Sequence, residues 1–223
     1  MPLPALLAVA ALAGAATLSG RAQAGSRARM TAAQAAAHKA RLVELLRASR
    51  WQDALFLNQA ERQRKLDLRG VDLSGAKLFG ADLTRAWLDD ANLADANLTG
   101  ANLSHAFLAN AFLANANLTG ADLTGANLTG ANLTYANLSG SDLSGANLTG
   151  AKLFGAKLFG ANLTDADLTD ANLSGATLEG AHLPGSFLTP GTRVDAVPWT
   201  GTPSGWRAIA SPRGVRFLPL SKA

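Results

Sequence analysis

The stretch that decides the fold is residues 116–150, which read ANLTG ADLTG ANLTG ANLTY ANLSG SDLSG ANLTG. Leucine is the third residue of each five-residue unit, and it recurs at every fifth position from Leu68 to Leu188. Twenty-five such units run without insertion or deletion from Leu66 to Pro190. A fixed short period of this kind indicates a stacked-repeat architecture. A period of five fits neither an amphipathic helix nor an ordinary alternating strand.

Each unit combines one large and one small apolar side chain with polar neighbours. The first position is Ala in twenty-one units, and the exceptions are Leu66, Val71, Ser141 and Ser186. The second position is mostly Asn or Asp, the fourth Thr or Ser, and the fifth Gly. Because residues two apart share a face of an extended segment, Ala and Leu point to one interior. Gly at the fifth position permits the φ values that turn the chain. The pattern therefore predicts a coil with Leu along its axis.

Units such as ADLTG, ANLTG and ANLSG resemble the pentapeptide-repeat family, and the resemblance covers Leu66 to Pro190. It implies an all-β solenoid, a right-handed quadrilateral β-helix with four units per coil. Residues twenty apart would then lie above one another at ~4.8 Å, so that about six coils form a rod roughly 30 Å long. Asn97, Asn117 and Asn137 would form one column, and stacked Asn and Thr side chains would form ladders along each face.

The segments flanking the repeat predict two small caps. Residues 25–65 are interpreted as a helical N-terminal cap, with a helix from Thr31 to about Arg50 that begins at a Thr31–Gln34 capping box. Its apolar stripe consists of Leu42, Leu45, Leu46 and Leu55. A second short helix is predicted at 51–63, over the first coil. Residues 191–223 are interpreted as a C-terminal cap with short strands at Val194–Trp199, Trp206–Ile209 and Val215–Leu218.

The first 24 residues have the pattern of a secretory signal peptide. Leu3 to Leu18 form an apolar run that is too short for a comfortable membrane span, and Ala22-Gln23-Ala24 is a small-x-small cleavage pattern. We therefore predict cleavage after Ala24, a periplasmic or secreted protein, and no stable membrane span after processing. No Lys or Arg precedes the apolar run, so translation from Met30 and a cytoplasmic protein stay open. The absence of cysteine is compatible with either compartment.

The charges are divided unevenly along the chain. The formal net charge is +4, but residues 1–65 carry ten basic and three acidic side chains, net +7. The repeat carries five basic and twelve acidic side chains, net −7, and residues 191–223 add +4. This layout is typical either of basic caps around an acidic rod or of charged partners.

No group of residues in the sequence predicts catalysis or metal binding. The histidines are His38, His105 and His182, and none has a Ser or Asp partner in a plausible triad. Carboxylates cluster at Asp89, Asp90 and Asp95 and again at Asp165, Asp167 and Asp170. Ca²⁺ needs six to eight converging oxygens, whereas side chains on a flat wall diverge. We predict no enzyme activity, no cofactor, no metal and no small-molecule substrate. Nine Asn-Leu-Thr/Ser triplets follow from the repeat itself and are not interpreted as glycosylation sites.

Three aromatic residues form a candidate interaction patch. Trp87, Phe107 and Phe112 occupy the second position of their units, which should face water. In the register of the family, Trp87 and Phe107 stack one coil apart, and Phe112 lies round the next corner. The predicted rim is Asp89, Asp90, Asp95, Asn110 and Asn115. A rimmed apolar patch is typical of a binding surface. Two alternatives stay open: the N-terminal cap covers the patch, or the aromatic residues have no role.

A second aromatic set comes from duplicated AKLFG units. It consists of Phe154 and Phe159 with Lys152 and Lys157, and duplication alone can account for it.

The sequence favours a non-enzymatic scaffold that presents a rigid β-helical surface to an unknown protein partner, after export. A homo-oligomer is left open. The alternative, which the family resemblance implies, is a cytoplasmic protein that mimics DNA and binds topoisomerases. A net charge of −7 over ~30 Å lies well below the duplex density of one charge per ~1.7 Å, which argues against this alternative. Binding of nucleic acid itself is not expected.

Overall fold

The repeat and parts of both flanks are described by the structure, a computed structural model. It describes residues 31–48, 50, 52, 66–183, 185, 186, 188, 206–211 and 214–219. One helix, α1 (Ala32–Arg47), precedes the repeat. Two strands follow it, β1 (Trp206–Ser211) and β2 (Gly214–Pro219), which pair antiparallel with Trp206 opposite Pro219 and Ser211 opposite Gly214. None of the helices in the described ranges is long and apolar enough to cross a bilayer.

The repeat winds into a helix with four units per turn. Parallel bridges join second-position residues twenty apart, from Asp67 with Trp87 to Asn162 with His182. The third-position N–H donates to a carbonyl one turn further on, as Leu128 N does to Asn147 O at 2.7 Å. Each second-position N–H donates one turn back, as Asn127 N does to Ala106 O at 2.9 Å. The coil geometry that the family resemblance implied is therefore present.

Four columns of second-position residues define four faces of the rod. The first face carries Asp67, Trp87, Phe107, Asn127, Asn147 and Asp167. The second face carries Asp72, Asn92, Phe112, Asn132, Lys152 and Asn172. The third face carries Lys77, Asn97, Asn117, Asn137, Lys157 and Thr177. The fourth face carries Asp82, Asn102, Asp122, Asp142, Asn162 and His182. Fourth and fifth positions of each unit lie at the edge between one face and the next.

The core is a column of leucines lined by alanines. Leu128 and Ala126 are both completely buried, and the same positions are buried along the described repeat up to Leu183, whereas Leu188 at its end is partly buried. Burial of each Leu side chain contributes roughly 1.5–3 kcal/mol before the cost of ordering the chain. Ser141 replaces Ala at the first position, and its buried hydroxyl donates to Leu138 O at 2.7 Å. The inside and outside positions read from the sequence are confirmed.

The edges are β-turns with a positive φ at the fifth position of the unit. Leu128 O accepts a hydrogen bond from Ala131 N at 3.0 Å, and Gly130 between them has φ of +67°. Nine residues other than Gly adopt the same conformation, among them Asp90 and Tyr135, both at +58°. Asn and Asp tolerate this region better than most residues, but Tyr135 needs the surrounding turn to hold it there.

Asn and Thr side chains bond within their own units. Asn127 Oδ1 accepts from Thr129 N at 3.2 Å and from Thr129 Oγ1 at 2.6 Å, which fixes the entry to the turn. The predicted column of Asn97, Asn117 and Asn137 is present. The expectation that such columns form side-chain ladders is wrong for this column, because each Asn oxygen bonds within its own unit. Side-chain bonds between turns join Asn92 to Asp72 and Asn162 to Asp142.

Helix α1 starts where the sequence predicted. Thr31 Oγ1 accepts from Gln34 N at 3.2 Å, and Thr31 N donates to Gln34 Oε1 at 2.8 Å, so the capping box is confirmed. The helix ends at Arg47, before the predicted Arg50. Its buried residues are Leu42, Leu45 and Leu46, and they belong to the same apolar cluster as the leucines of the rod.

Charged side chains attach α1 to the first turn. Arg47 donates to both the carbonyl and the carboxylate of Asp72, with Arg47 Nη2 at 2.6 Å from Asp72 Oδ2. Lys39 donates to Arg69 O and lies 3.7 Å from Asp67 Oδ1. The pKa of Asp72 is lowered, first by hydrogen bonds from Ser74 and further by Arg47. At neutral pH this carboxylate is therefore ionised, and it pairs with Arg47.

The predictions for the segments on either side of the repeat are confirmed in part. β1 and β2 confirm the strands predicted at Trp206–Ile209 and Val215–Leu218, and both extend by one or two residues. Val194–Trp199 and the segment 1–24 lie outside the described residues. Of the second helix predicted at 51–63, only Gln52 is described, and it is helical. The four segment boundaries stay predictions.

Candidate functional site

The structure brings Trp87 and Phe107 together on the first face. They are bridged neighbours in adjacent turns, as the family register implied. Phe112 lies on the second face, where it is bridged to Asn92 and Asn132. Phe107 is 37% exposed and Phe112 is 53% exposed, so both rings present apolar surface at the outside of a rigid wall. The three residues therefore lie around one edge of the rod, in the arrangement expected from the sequence.

A guanidinium group that the sequence did not predict lies over this patch. Arg69 Cζ is 4.5 Å from the centre of the Trp87 ring, a cation–π geometry. Asp67 holds Arg69 there by two hydrogen bonds, of 3.0 Å to Nε and 2.7 Å to Nη2. The hydrogen bond from Arg69 holds the pKa of Asp67 below its usual value, so the pair is ionised at neutral pH. This end of the patch therefore combines an aromatic face with a positive charge.

The predicted rim consists of edge residues. Asp89 is at a fourth position, and its Oδ1 accepts from Ala109 N, one turn on, at 3.3 Å. The other four, Asp90, Asp95, Asn110 and Asn115, are at fifth positions with φ between 57° and 59°. Their backbones are fixed by the turn. Polar groups thus border the aromatic rings at defined positions.

The second aromatic set is larger than the sequence suggested. Tyr135 and Phe154 form an edge-to-face pair with ring centres 5.5 Å apart and planes at 75°. The Tyr135 ring leans over Gly155, where an added Cβ would lie 2.5 Å from the ring carbons. Phe154 is 43% exposed and Tyr135 is 57% exposed. The sequence pattern did not predict a role for Tyr135, because it stands at the fifth position of its unit, where the repeat normally has the Gly of the turn.

A third AKLFG unit at residues 76–80 was also missed. Its Phe79 is 67% exposed, the highest value among the large apolar side chains of the described residues. Lys77 and Phe79 lie on the same face as Lys157 and Phe159, four turns away. The signal was available in the sequence, because the interval of 80 residues is a multiple of the twenty-residue turn.

The structure shows no arrangement for proton transfer or metal binding in the described residues. His105 and His182 are exposed, and they lie about four turns apart along the rod. His38 on α1 has an enclosed Nε2 without a hydrogen-bond partner. No group of three His, Cys, Asp or Glu side chains within the described ranges could hold a metal ion. Burial raises the pKa of Asp142, but hydrogen bonds from Ser144 and Asn162 outweigh it, and the net pKa is lowered.

The repeat region matches a known protein family. The family model of pentapeptide repeats matches eight copies, over residues 64–95, 76–113, 96–134, 113–150 and 151–189. These ranges cover more than half of the chain. The protein belongs to the pentapeptide repeat family.

Solved structures of the same family are similar to this chain. QnrB1, a plasmid-mediated fluoroquinolone resistance protein, is 22% identical over 60% of this chain and 78% of its own, with a TM-score of 0.45. HetL, involved in heterocyst differentiation regulation in the cyanobacterium Nostoc sp. strain PCC 7120, is 37% identical over 59% of this chain and 71% of its own, with a TM-score of 0.33. Rfr23 from the cyanobacterium Cyanothece 51142 is 34% identical over 63% of this chain and 97% of its own, with a TM-score of 0.26. No curated protein matches the chain.

Proposed function

We propose that this protein is a non-enzymatic scaffold, a rod of about six turns whose first and second faces bind another protein. The observation that carries the proposal is the exposed aromatic surface of Phe107 and Phe112, which lies beside Trp87 around one edge of the rod and is bordered by polar residues. Aromatic rings held rigidly at a surface lose little entropy on binding and are common anchors of interfaces. Helix α1 covers the apolar first turn of the rod, and the opposite end also needs a cover, a role that we assign to the C-terminal segment 191–223.

The patch is tested by replacing Trp87, Phe107 and Phe112 with Ser in one variant. No axial Leu is changed, so the rod should keep its circular dichroism spectrum and its midpoint in urea. Single truncations of such anchors cost ~2 kcal/mol or more of binding, so the triple variant should no longer retain the partner protein. The measurement is quantitative mass spectrometry of proteins co-purified with the tagged full chain from its native host.

Phe154→Ser is the matched control, because it removes an exposed ring of the second face away from the patch. It should retain the same partner as the wild type. A triple variant that loses thermal stability but keeps its partner would show that the patch is a docking site within the protein itself. In that outcome the interface proposal is wrong.

The scaffold is proposed to act outside the cytoplasm. The support is the apolar run from Leu3 to Leu18 and the Ala22-Gln23-Ala24 pattern. The intact mass of the protein isolated from its native host is expected to match a chain that starts at Gly25. A chain that starts at Met30 would contradict export and would favour a cytoplasmic role, including the topoisomerase alternative.

A further inference from the structure

The third face of the rod differs from the other three in its charges. Its units at 76–80, 96–100, 116–120, 136–140, 156–160 and 176–180 contain no aspartate. All eleven aspartates between residues 66 and 183 lie on the other three faces or at their edges. The charged residues of the third face are Lys77, Lys157 and, in its last unit, Glu179. The adjoining fourth face carries Asp82, Asp122 and Asp142 in its central column.

The two faces also differ in hydrogen bonding. Asn97, Asn117 and Asn137 each use Oδ1 to accept two bonds from the Thr or Ser of the same unit. Their Nδ2 groups have no acceptor among the described residues, so the third face offers donors. On the fourth face, Asp122 Oδ1 accepts from Thr124 N at 2.9 Å. Asp122 Oδ2 accepts no hydrogen bond from the described residues, and Asp142 adds a second carboxylate to the same column, so the fourth face offers acceptors. Both columns repeat at the ~4.8 Å spacing of the turns.

The edge that joins these two faces carries no side chain at any fifth position. The six residues are Gly80, Gly100, Gly120, Gly140, Gly160 and Gly180. The other three edges accept Asp, Asn, His, Tyr or Arg at the same positive φ. A Cβ at Gly80, Gly100, Gly120, Gly140 or Gly160 would meet no atom within 4 Å. Packing within one rod therefore does not require this run of glycines. An edge without side chains does, however, let a second molecule approach the backbone closely.

Phe79 and Phe159 stand at fourth positions along this same edge. They are 67% and 57% exposed and lie four turns apart, about 19 Å along the axis. Two apolar side chains thus border the glycine edge between them. Exposed apolar groups on a rim of this kind are typical of an association surface.

Since the rod is four-sided, its third and fourth faces meet at about a right angle. If the third face contacts the fourth face of a parallel copy, the two copies are related by a 90° rotation about the shared glycine edge. Four such steps close the ring. All four glycine edges then meet on the fourfold axis, and the four copies of Phe79 gather there, as do the four copies of Phe159.

We propose that the third face binds the fourth face of a second copy of this chain, and that the assembly closes as a parallel fourfold tetramer. Corresponding residues of the two faces differ in height by only a quarter of a turn, ~1.2 Å. Lys77 then faces Asp82 of the neighbouring copy, and the amides of Asn117 and Asn137 face the carboxylates of Asp122 and Asp142. At the side of this contact that lies farthest from the fourfold axis, Asp95 is at a height midway between Arg85 and His105 of the neighbouring copy.

Charge complementarity selects this arrangement over its competitors. An antiparallel twofold pairing of third faces would place Lys77 against Lys157 and donors against donors. A pairing of fourth faces would place aspartates against aspartates. An anionic polymer is disfavoured as a partner of the third face, because it would meet two lysines on a repeat whose net charge is −7. The tetramer leaves the first and second faces outward, so it is compatible with the proposed patch but does not depend on it.

The oligomeric state tests the proposal. The purified full chain is expected to sediment and scatter light with four times the mass of one chain. Gly120→Asn places a side chain on the glycine edge and should weaken assembly by about tenfold or more in concentration. Gly150→Asn is the matched control: its φ of +65° and open surroundings are the same, but it lies on the diagonally opposite edge. Both variants should keep the circular dichroism spectrum of the wild type, and the control should stay tetrameric.

Charge reversal gives a second test. Lys77→Asp and Asp82→Lys should each shift the protein toward monomer, and the combined variant should regain the tetramer because the opposite charges are restored across the contact. A wild type that is monomeric or dimeric at every concentration would overturn the proposal. Equal assembly of the Gly120 and Gly150 variants, or a combined charge variant that stays monomeric, would overturn it as well.

Discussion

Leu128→Asp is expected to unfold the rod. Leu128 is completely buried in the middle of the leucine column, with leucines twenty residues before and after it in the adjoining turns. A carboxylate at this position can be neither hydrated nor paired, and its protonated form still leaves a polar group in an apolar column. The expected loss of unfolding free energy is at least about 3 kcal/mol. Because each turn contacts only its neighbours, a defect in the middle separates the rod into two short stacks.

Asn127→Asp is the matched control for this variant. It introduces the same carboxylate one residue earlier, at an outward position where Asp122, Asp142 and Asp167 already occur. Asp can accept the same bonds from Thr129, so the change in unfolding free energy should stay within about 1 kcal/mol. Urea denaturation followed by far-UV circular dichroism measures both variants. Similar midpoints for the two would contradict the assignment of inside and outside positions.

The period of the sequence was sufficient to predict the interior of the rod. Positions one and three of each unit had to share a face, and burial of Leu and Ala follows from their apolar character. Gly at the fifth position predicted the turn. These are local relations, so the residues within one unit determine them. A period of five alone does not fix how many units complete a turn, and that number came from the family resemblance.

Relations across turns were harder to predict. The division of charge between the faces can be recognised only when residues twenty positions apart are grouped together, as they are in the coil. The position of the Arg69 guanidinium over Trp87 depends on side-chain rotamers and on the hydrogen bonds that Arg69 donates to Asp67. No local sequence pattern specifies either of these. The ladder expected for Asn97, Asn117 and Asn137 failed for the same reason. Each Asn oxygen instead accepts a hydrogen bond from the Thr or Ser hydroxyl of its own unit, at 2.6–2.7 Å.

Leu46→Asp is expected to release α1 from the rod. Leu46 is 1% exposed and packs in the apolar cluster that α1 shares with the leucines of the repeat. Its burial contributes roughly 1.5–3 kcal/mol, and a carboxylate there adds a desolvation cost. The remaining contacts described are the buried side chains of Leu42 and Leu45 and surface pairs such as Arg47 with Asp72, and exposed pairs of this kind contribute ~1 kcal/mol or less. Because Leu42 and Leu45 lie on the same face of α1 as residue 46, a charge at 46 should displace them from the cluster as well.

A released α1 should also lose its structure. It has 16 residues, and isolated helices of about this length are marginal in water. The variant should therefore lose helical circular dichroism and become sensitive to protease at residues 32–47, whereas the β-type signal of the rod persists. Arg41→Asp is the control, because Arg41 is exposed and pairs with Glu44 on the same helix. Leu46→Asp protein with a full helical signal would contradict docking through Leu46, and simultaneous loss of both signals would show that helix and rod unfold as one unit.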